Sequence, residues 1–148
     1  MPGDQLDVAL KRIDPGLPVP KRIRAGDAAA DLPSAIDLVL EPGQRSLVPT
    51  GFAIAVPQGH CGLILPRSGL AAKHGITVLN SPGLIDPGYR GELKVILVNL
   101  GQESVPIERG QRIAQLLVLE TPGLRLIETA ELPVAPDERG ELGFGSSG

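Results

Sequence analysis

Pro66-Arg67-Ser68-Gly69-Leu70-Ala71 brings a guanidinium, a hydroxyl and a glycine together where a helix could begin. Backbone N–H groups at a helix start, with those side chains, can cradle a phosphate. Gly69 would let the backbone approach the ligand closely. A second stretch, Asn80 to Glu92, reads as a β-hairpin bent by glycine and proline. Its Asp86 follows two apolar residues and precedes Pro-Gly, a place where a carboxylate could polarise a water as a general base. Tyr89, the one tyrosine of the chain, could offer a flat platform to a sugar or base. The plainer alternative is a turn aspartate bonding its own backbone beside a half-buried strand tyrosine.

Three further stretches carry polar groups in suggestive settings. Arg109 to Leu116 reads as a turn leading into a strand. Strict alternation would put Arg112, Ala114 and Leu116 on one face and Ile113 and Gln115 on the other. An inward Gln115 would bring an amide donor into a cavity. Asp31 stands in a run of small residues, Ala28 to Leu32, and could hold a water of a metal shell or pair with an arginine. The Gly-rich end, Arg139 to Gly148, could fold over a nucleotide, with Arg139 on phosphate and Phe144 on a base. A frayed tail is its alternative.

The elements that must position these residues are strands. The 148 residues include 19 glycines and 15 prolines, which break long helices and favour short strands joined by turns. Residues 1–25 read as an opening strand and a Pro-rich arm. Strands are expected at Ser46–Val56, Cys61–Leu65, Ile76–Leu79, Leu93–Leu100, Val105–Ile107 and Arg112–Leu119. Turn signals every ~8–12 residues point to a sandwich or barrel. One short helix is expected at Ser68–His74, capped by Ser68 and stopped by Gly75.

Composition excludes several classes. With 42% hydrophobic residues the chain can build a core. A net charge of −3, from 14 basic and 17 acidic residues, argues against a broad nucleic-acid surface. The single cysteine, Cys61, excludes an internal disulfide and a cysteine zinc cage. The apolar runs are too short to span a bilayer, and Met1 to Asp14 has no signal-peptide core, so no membrane partner and a cytoplasmic setting are expected.

Taken in order, these segments resemble the five motifs of the trimeric dUTP pyrophosphatases (dUTPases). The match runs through the segment at Asp31, Pro66 to Ala71, Gly83 to Glu92, Arg109 to Leu116 and Arg139 to Gly148, covering about residues 7–148. Three departures stand out. Ala29 occupies a position that is usually glycine, Gln111 one that is usually acidic, and Ser147 one that is often threonine.

The resemblance implies a mostly β, jelly-roll-like barrel or sandwich with one short helix, assembled as a homotrimer with shared active sites. It implies a β domain over residues 1–136 and an arm over 137–148 that closes over a neighbouring subunit's site. It implies Mg²⁺-dependent hydrolysis of dUTP to dUMP and pyrophosphate, clearing dUTP from the nucleotide pool and supplying dUMP for thymidylate synthesis. Asp86 would be the general base. Arg67, Ser68, Gly69 and Gln115 would hold phosphate oxygens, and Arg139 would close on the γ-phosphate. Asn80 and the backbone around Leu84, Ile85 and Asp86 would read uracil. Tyr89 would lie under the deoxyribose, Phe144 would stack on the base, and Lys94 could reach the substrate or remain a solvated strand residue. Asp31 would hold a water around a Mg²⁺ carried mainly by the phosphates. Two alternatives are a dCTP deaminase-like enzyme on the same fold and a non-catalytic nucleotide-binding trimer.

Overall fold

The computed structural model describes residues 5–145. The described residues form strands β1 (Ala9–Arg12), β2 (Ala30–Pro33), β3 (Leu38–Leu40), β4 (Arg45–Ala55) and β5 (His60–Leu65), and helix α1 (Ser68–His74). Strands β6 (Ile76–Val78), β7 (Gly83–Ile85), β8 (Glu92–Asn99), β9 (Val105–Ile107) and β10 (Arg112–Glu120) complete the order. Two four-stranded sheets, β1-β4-β8-β6 and β2-β10-β5-β7, form a sandwich rather than a closed barrel, with β3-β9 as a separate small ladder. All pairings are antiparallel.

Alternation builds the core. Along β8, Leu93, Val95 and Leu97 are buried while Lys94 is exposed. They meet Leu32, Ile64, Ile85, Ile113 and Ala114 of the second sheet. Phe52 is the largest fully buried side chain. With so few aromatics, the core rests on aliphatic burial, each such side chain contributing about 1.5–3 kcal/mol. Gly51, at φ +83°, lies in the register shift between Pro49 and Ala53 of the β4–β8 ladder. Arg45 to Pro49 pair with β8 before it; after it, Ala53 pairs with Glu92 of β8 while Phe52 to Ala55 also pair with β1.

The longer expected strands form within a residue or two of their expected ends, and α1 spans Ser68–His74 as expected. Gly75 stops it in the left-handed region at φ 68°. Three expectations are corrected. Ser68 is not the cap: Arg67 holds that position, without a side-chain cap bond. The stretch from Asn80 to Glu92 is not a paired hairpin, because β7 pairs with β5 while β8 pairs with β4 and β6. That stretch therefore leaves the first sheet after β6, places β7 in the second and returns to the first at β8. Strict alternation in β10 also fails: a register shift between Arg112 and Ala114 leaves both Ile113 and Ala114 buried. Strands β2, β3 and β7, three or four residues long, are not among the separately expected strands.

Beyond β10 the chain is an arm. Residues 121–136, counted with the β domain in the sequence, contribute no strand and are exposed throughout. Leu126, Leu132 and Val134 are all more than four-fifths exposed. No helix among the described residues is long and apolar enough to cross a membrane.

Candidate active site

Three strands converge where β5 ends and α1 begins. Asp31 sits on β2 opposite Gln115 of β10, and Gln115 in turn sits opposite Leu65, the last residue of β5. The Gln115 amide donates to the Pro66 carbonyl at 2.9 Å, which ties β10 to the strand–helix junction. An amide has two N–H donors, so one remains for a ligand.

Arg67 is fixed from two directions. Its Nε lies 3.4 Å from Asp31 Oδ1, and its terminal nitrogen donates to the Arg112 carbonyl at 3.0 Å. Arg112 also pairs with Asp31, at 3.3 Å to Oδ2. Of the two sequence readings of Asp31, pairing with arginine is the one observed, and the pairing is double. These contacts leave at least three of the five Arg67 N–H donors for a ligand. A Cβ added at Gly69 would meet nothing within 4 Å. The chain's own packing does not demand glycine there, so the space in front of the backbone is open to a ligand.

These residues line a cavity of about 510 Å³ that holds Asp31, Arg67, Ser68, Gly69 and Gln115. Ile23, Arg24, Asp27, Ala28, Ala29, Leu65 and Leu117 line it as well. Sequence reasoning missed the 22–27 loop. Its signal is local: the Arg24 N–H donates to Asp27 Oδ2 at 2.9 Å, and Arg22 donates to the carbonyls of Ala25 and Asp27. The turn is thereby locked against the cavity wall. Ala29 keeps a negative φ, so the usual glycine is not needed for backbone conformation here. Gln111 Oε1 accepts from the Glu108 N–H at 3.0 Å, a carbonyl oxygen serving where an acid usually stands.

The remaining candidates lie elsewhere. Asn80, Leu84, Ile85, Asp86, Tyr89, Lys94, Arg139 and Phe144 are absent from the lining of this cavity. β7 is the edge of its sheet, so one side of its backbone is unpaired. Asn80 Nδ2 packs 3.4 Å from where a Gly83 side chain would begin, beside that edge. Ile85 turns its side chain into the core, leaving only its backbone for a ligand, whereas Leu84 points outward. Asp86 is exposed, and its carbonyl accepts the Tyr89 N–H at 3.1 Å. Lys94 is exposed on the outer face of β8. Arg139 donates to the Leu142 carbonyl at 3.0 Å, and Phe144 is fully exposed. Residues 146–148, which include Ser147, lie outside the described residues. A larger cleft of about 720 Å³, lined by Leu6, Val8, Phe52, Ile54 and Val118, holds none of the candidates.

An antiparallel sandwich with an arginine-lined cavity at the end of one sheet defines a jelly-roll-type β protein. Comparison with known proteins makes the class specific. The chain belongs to the dUTPase family, whose description matches residues 16–148. It is 53% identical to the deoxyuridine 5'-triphosphate nucleotidohydrolase of Rhodococcus erythropolis, over 98% of this chain and 88% of that protein. The protein of the same name from Mycobacterium marinum is 54% identical, over 95% and 94%. Among solved structures, the Staphylococcus bacteriophage 80alpha dUTPase with dUPNHPP superposes with a TM-score of 0.89 at 30% identity, covering 97% of this chain and 99% of that one.

Proposed function

We propose that this protein hydrolyses dUTP to dUMP and pyrophosphate in a site completed by other copies of the same chain. The observation that carries the reading is a division of labour within the fold. The cavity around Arg67 supplies anion-binding groups, while Asp86 and Tyr89 stand outside its lining. A homotrimer brings the Asn80–Glu92 stretch of one chain to the cradle of another, and the arm of a third closes over both. The exposed apolar residues of the arm support this, since a chain alone leaves them uncovered.

Asp86 takes a proton from a water aimed in line at the α-phosphorus, and the pyrophosphate leaves into the cradle. Arg67, the spare Gln115 N–H, the Ser68 hydroxyl and the backbone at Gly69 hold the phosphate oxygens there. Arg139 adds a cation from the arm, and Phe144 covers the base and excludes water.

Mg²⁺ fits this donor set. No group of three or more His, Cys, Asp or Glu among the described residues could cage a metal. That suits an ion that keeps its waters and binds through substrate phosphates. Asp31 lines the cavity, and its two arginine contacts leave acceptor sites for a metal-bound water. When bound, the ion offsets the charge of the triphosphate and fixes its geometry.

Base choice follows from hydrogen bonding. Uracil presents acceptor, donor and acceptor in a row, which the free edge of β7 and the Asn80 amide can match. Cytosine reverses part of that pattern and would leave buried groups unpaired, a penalty of about 10⁴-fold or more. Thymine is excluded by its methyl group and UTP by its 2′-hydroxyl, which Tyr89 leaves no room for.

The test is pyrophosphate release from dUTP, dCTP, dTTP and UTP, each with Mg²⁺ and with EDTA. Release from dUTP alone, abolished by EDTA, is expected. Ammonia from dCTP would move the assignment to the deaminase, and no release at all would leave a binding protein.

A further inference from the structure

We propose that Arg112 is a positioning residue for the phosphate cradle: it sets the direction of Arg67 without touching the substrate. The inference rests on the function proposed above and adds a residue to it. Arg112 acts on Arg67 in two ways, once directly and once through Asp31. Its guanidinium holds Asp31 Oδ2 at 3.3 Å, while Asp31 Oδ1 holds Arg67 Nε at 3.4 Å. Its backbone carbonyl accepts directly from the Arg67 guanidinium at 3.0 Å.

The fold makes that carbonyl available. Arg112 stands opposite Pro33 in the β10–β2 ladder, and proline has no N–H to give it. The register shift that follows, between Arg112 and Ala114, adds an unpaired residue and re-aims the strand end. Such bulges recur beside active sites, where they redirect a group out of the ladder.

Stability is not a sufficient reason for the arrangement. The Arg112 side chain is 52% exposed, and ion pairs of that kind contribute little to folding. Its consequence is geometric. A guanidinium held at Nε and at one terminal nitrogen presents its remaining donors in one fixed plane, which bidentate recognition of phosphate requires. Asp31 alone would leave the Arg67 side chain free to swing about a single contact.

A double-mutant cycle tests this. Arg112→Gln, Arg67→Gln and the double variant are compared for dUTP turnover, for binding of the non-hydrolysable analogue α,β-imido-dUTP by calorimetry, and for Tm without ligand. Arg112→Gln keeps the backbone carbonyl that Arg67 bonds but removes the cation that holds Asp31; through that loss it is expected to weaken analogue binding and raise KM by about tenfold, with a smaller change in kcat and a near-normal Tm. In the Arg67→Gln background it should have almost no further effect, because the group it positions is gone. Arg112→Lys should recover part of the loss, since it keeps the charge facing Asp31. Wild-type binding by Arg112→Gln, or an equal loss with and without Arg67, overturns the inference while leaving the function standing. A wild-type protein that neither binds the analogue nor turns over dUTP overturns both.

Discussion

The Tyr89 hydroxyl donates to the Glu92 carbonyl at 2.8 Å, closing the chain over Gly91. A Cβ at Gly91 would fall 2.6 Å from that hydroxyl and 2.8 Å from the ring carbon bearing it. Glycine at 91 is thus what allows the ring to lie where it does. Gly91→Ala should displace the ring without unfolding the domain, because residue 91 is exposed. We expect kcat/KM for dUTP to fall about tenfold and preference over UTP to narrow. Parallel kinetics on dUTP and UTP check this, and unchanged discrimination would remove Tyr89 from the sugar site.

Asp86→Asn should separate binding from chemistry. The side chain is exposed and the turn is held by a backbone bond, so the fold should persist. Turnover is expected to fall by about 10²–10⁴-fold, the usual contribution of a positioned base, while analogue binding stays near wild type. Near-normal turnover would mean another group takes the proton.

Asp14 joins the opening strand to the turn before β10. Arg109 donates to both of its carboxylate oxygens, at 2.8 and 2.9 Å. That bonding, followed by the Gly16 N–H, lowers the Asp14 pKa from its usual value. A carboxyl with a folded pKa below its unfolded one stabilises the fold above the unfolded value. That contribution fades as pH falls through the folded one. Asp14→Asn should therefore lower Tm by a few degrees at pH 7, and the gap should close below about pH 4. Thermal melts of both proteins across pH 2.5–8 (a range chosen to bracket roughly the carboxylate values) decide it. A gap that persists in acid would contradict the assignment.

Asn99 is a buried polar anchor of the sandwich. Its amide donates to the carbonyls of Leu40 and Glu103, both at 2.8 Å, and its oxygen accepts the Gly101 N–H at 2.9 Å. Asn99→Ala leaves these groups unpaired in the interior, at a cost of about 2–4 kcal/mol. Chemical denaturation reads the loss. Activity per folded molecule should be unchanged, because residue 99 is far along β8 from Lys94 and the 80–92 stretch.

Truncation after Asp137 removes Arg139 and Phe144 but no strand. The shortened protein should melt like the full chain and bind dUTP, with a strongly reduced kcat. Full activity would show that the arm is not a lid.

Much of this protein was legible from residue types alone. The long strands β4, β5, β8 and β10 were legible as runs of apolar and β-branched residues between turn signals, even where, as in β10, strict alternation fails. The helix was legible because Gly75 can enter the left-handed region that ends it. That Arg67, Ser68 and Gly69 come together was legible because they are neighbours in sequence, and the structure places them on one cavity wall. Strands β2, β3 and β7 were not legible although β6 and β9, just as short, were; these three owe their form to the neighbours they pair with. The role of the 22–27 loop was hidden for a similar reason, because its place on the cavity wall depends on a turn locked by its own side chains.

By itself, then, the order of residues determined the β class, the helix stop and the chemical types in the site. Tertiary structure alone decided that Asp31 bridges two arginines, that the Arg112 carbonyl is free because proline stands opposite it, and that the 80–92 stretch crosses between sheets. The physical reason is the same in each case. Period and composition are properties of neighbours along the chain, whereas an ion pair across 81 positions of sequence or a carbonyl left unpaired by its opposite residue exists only once strands have chosen their register.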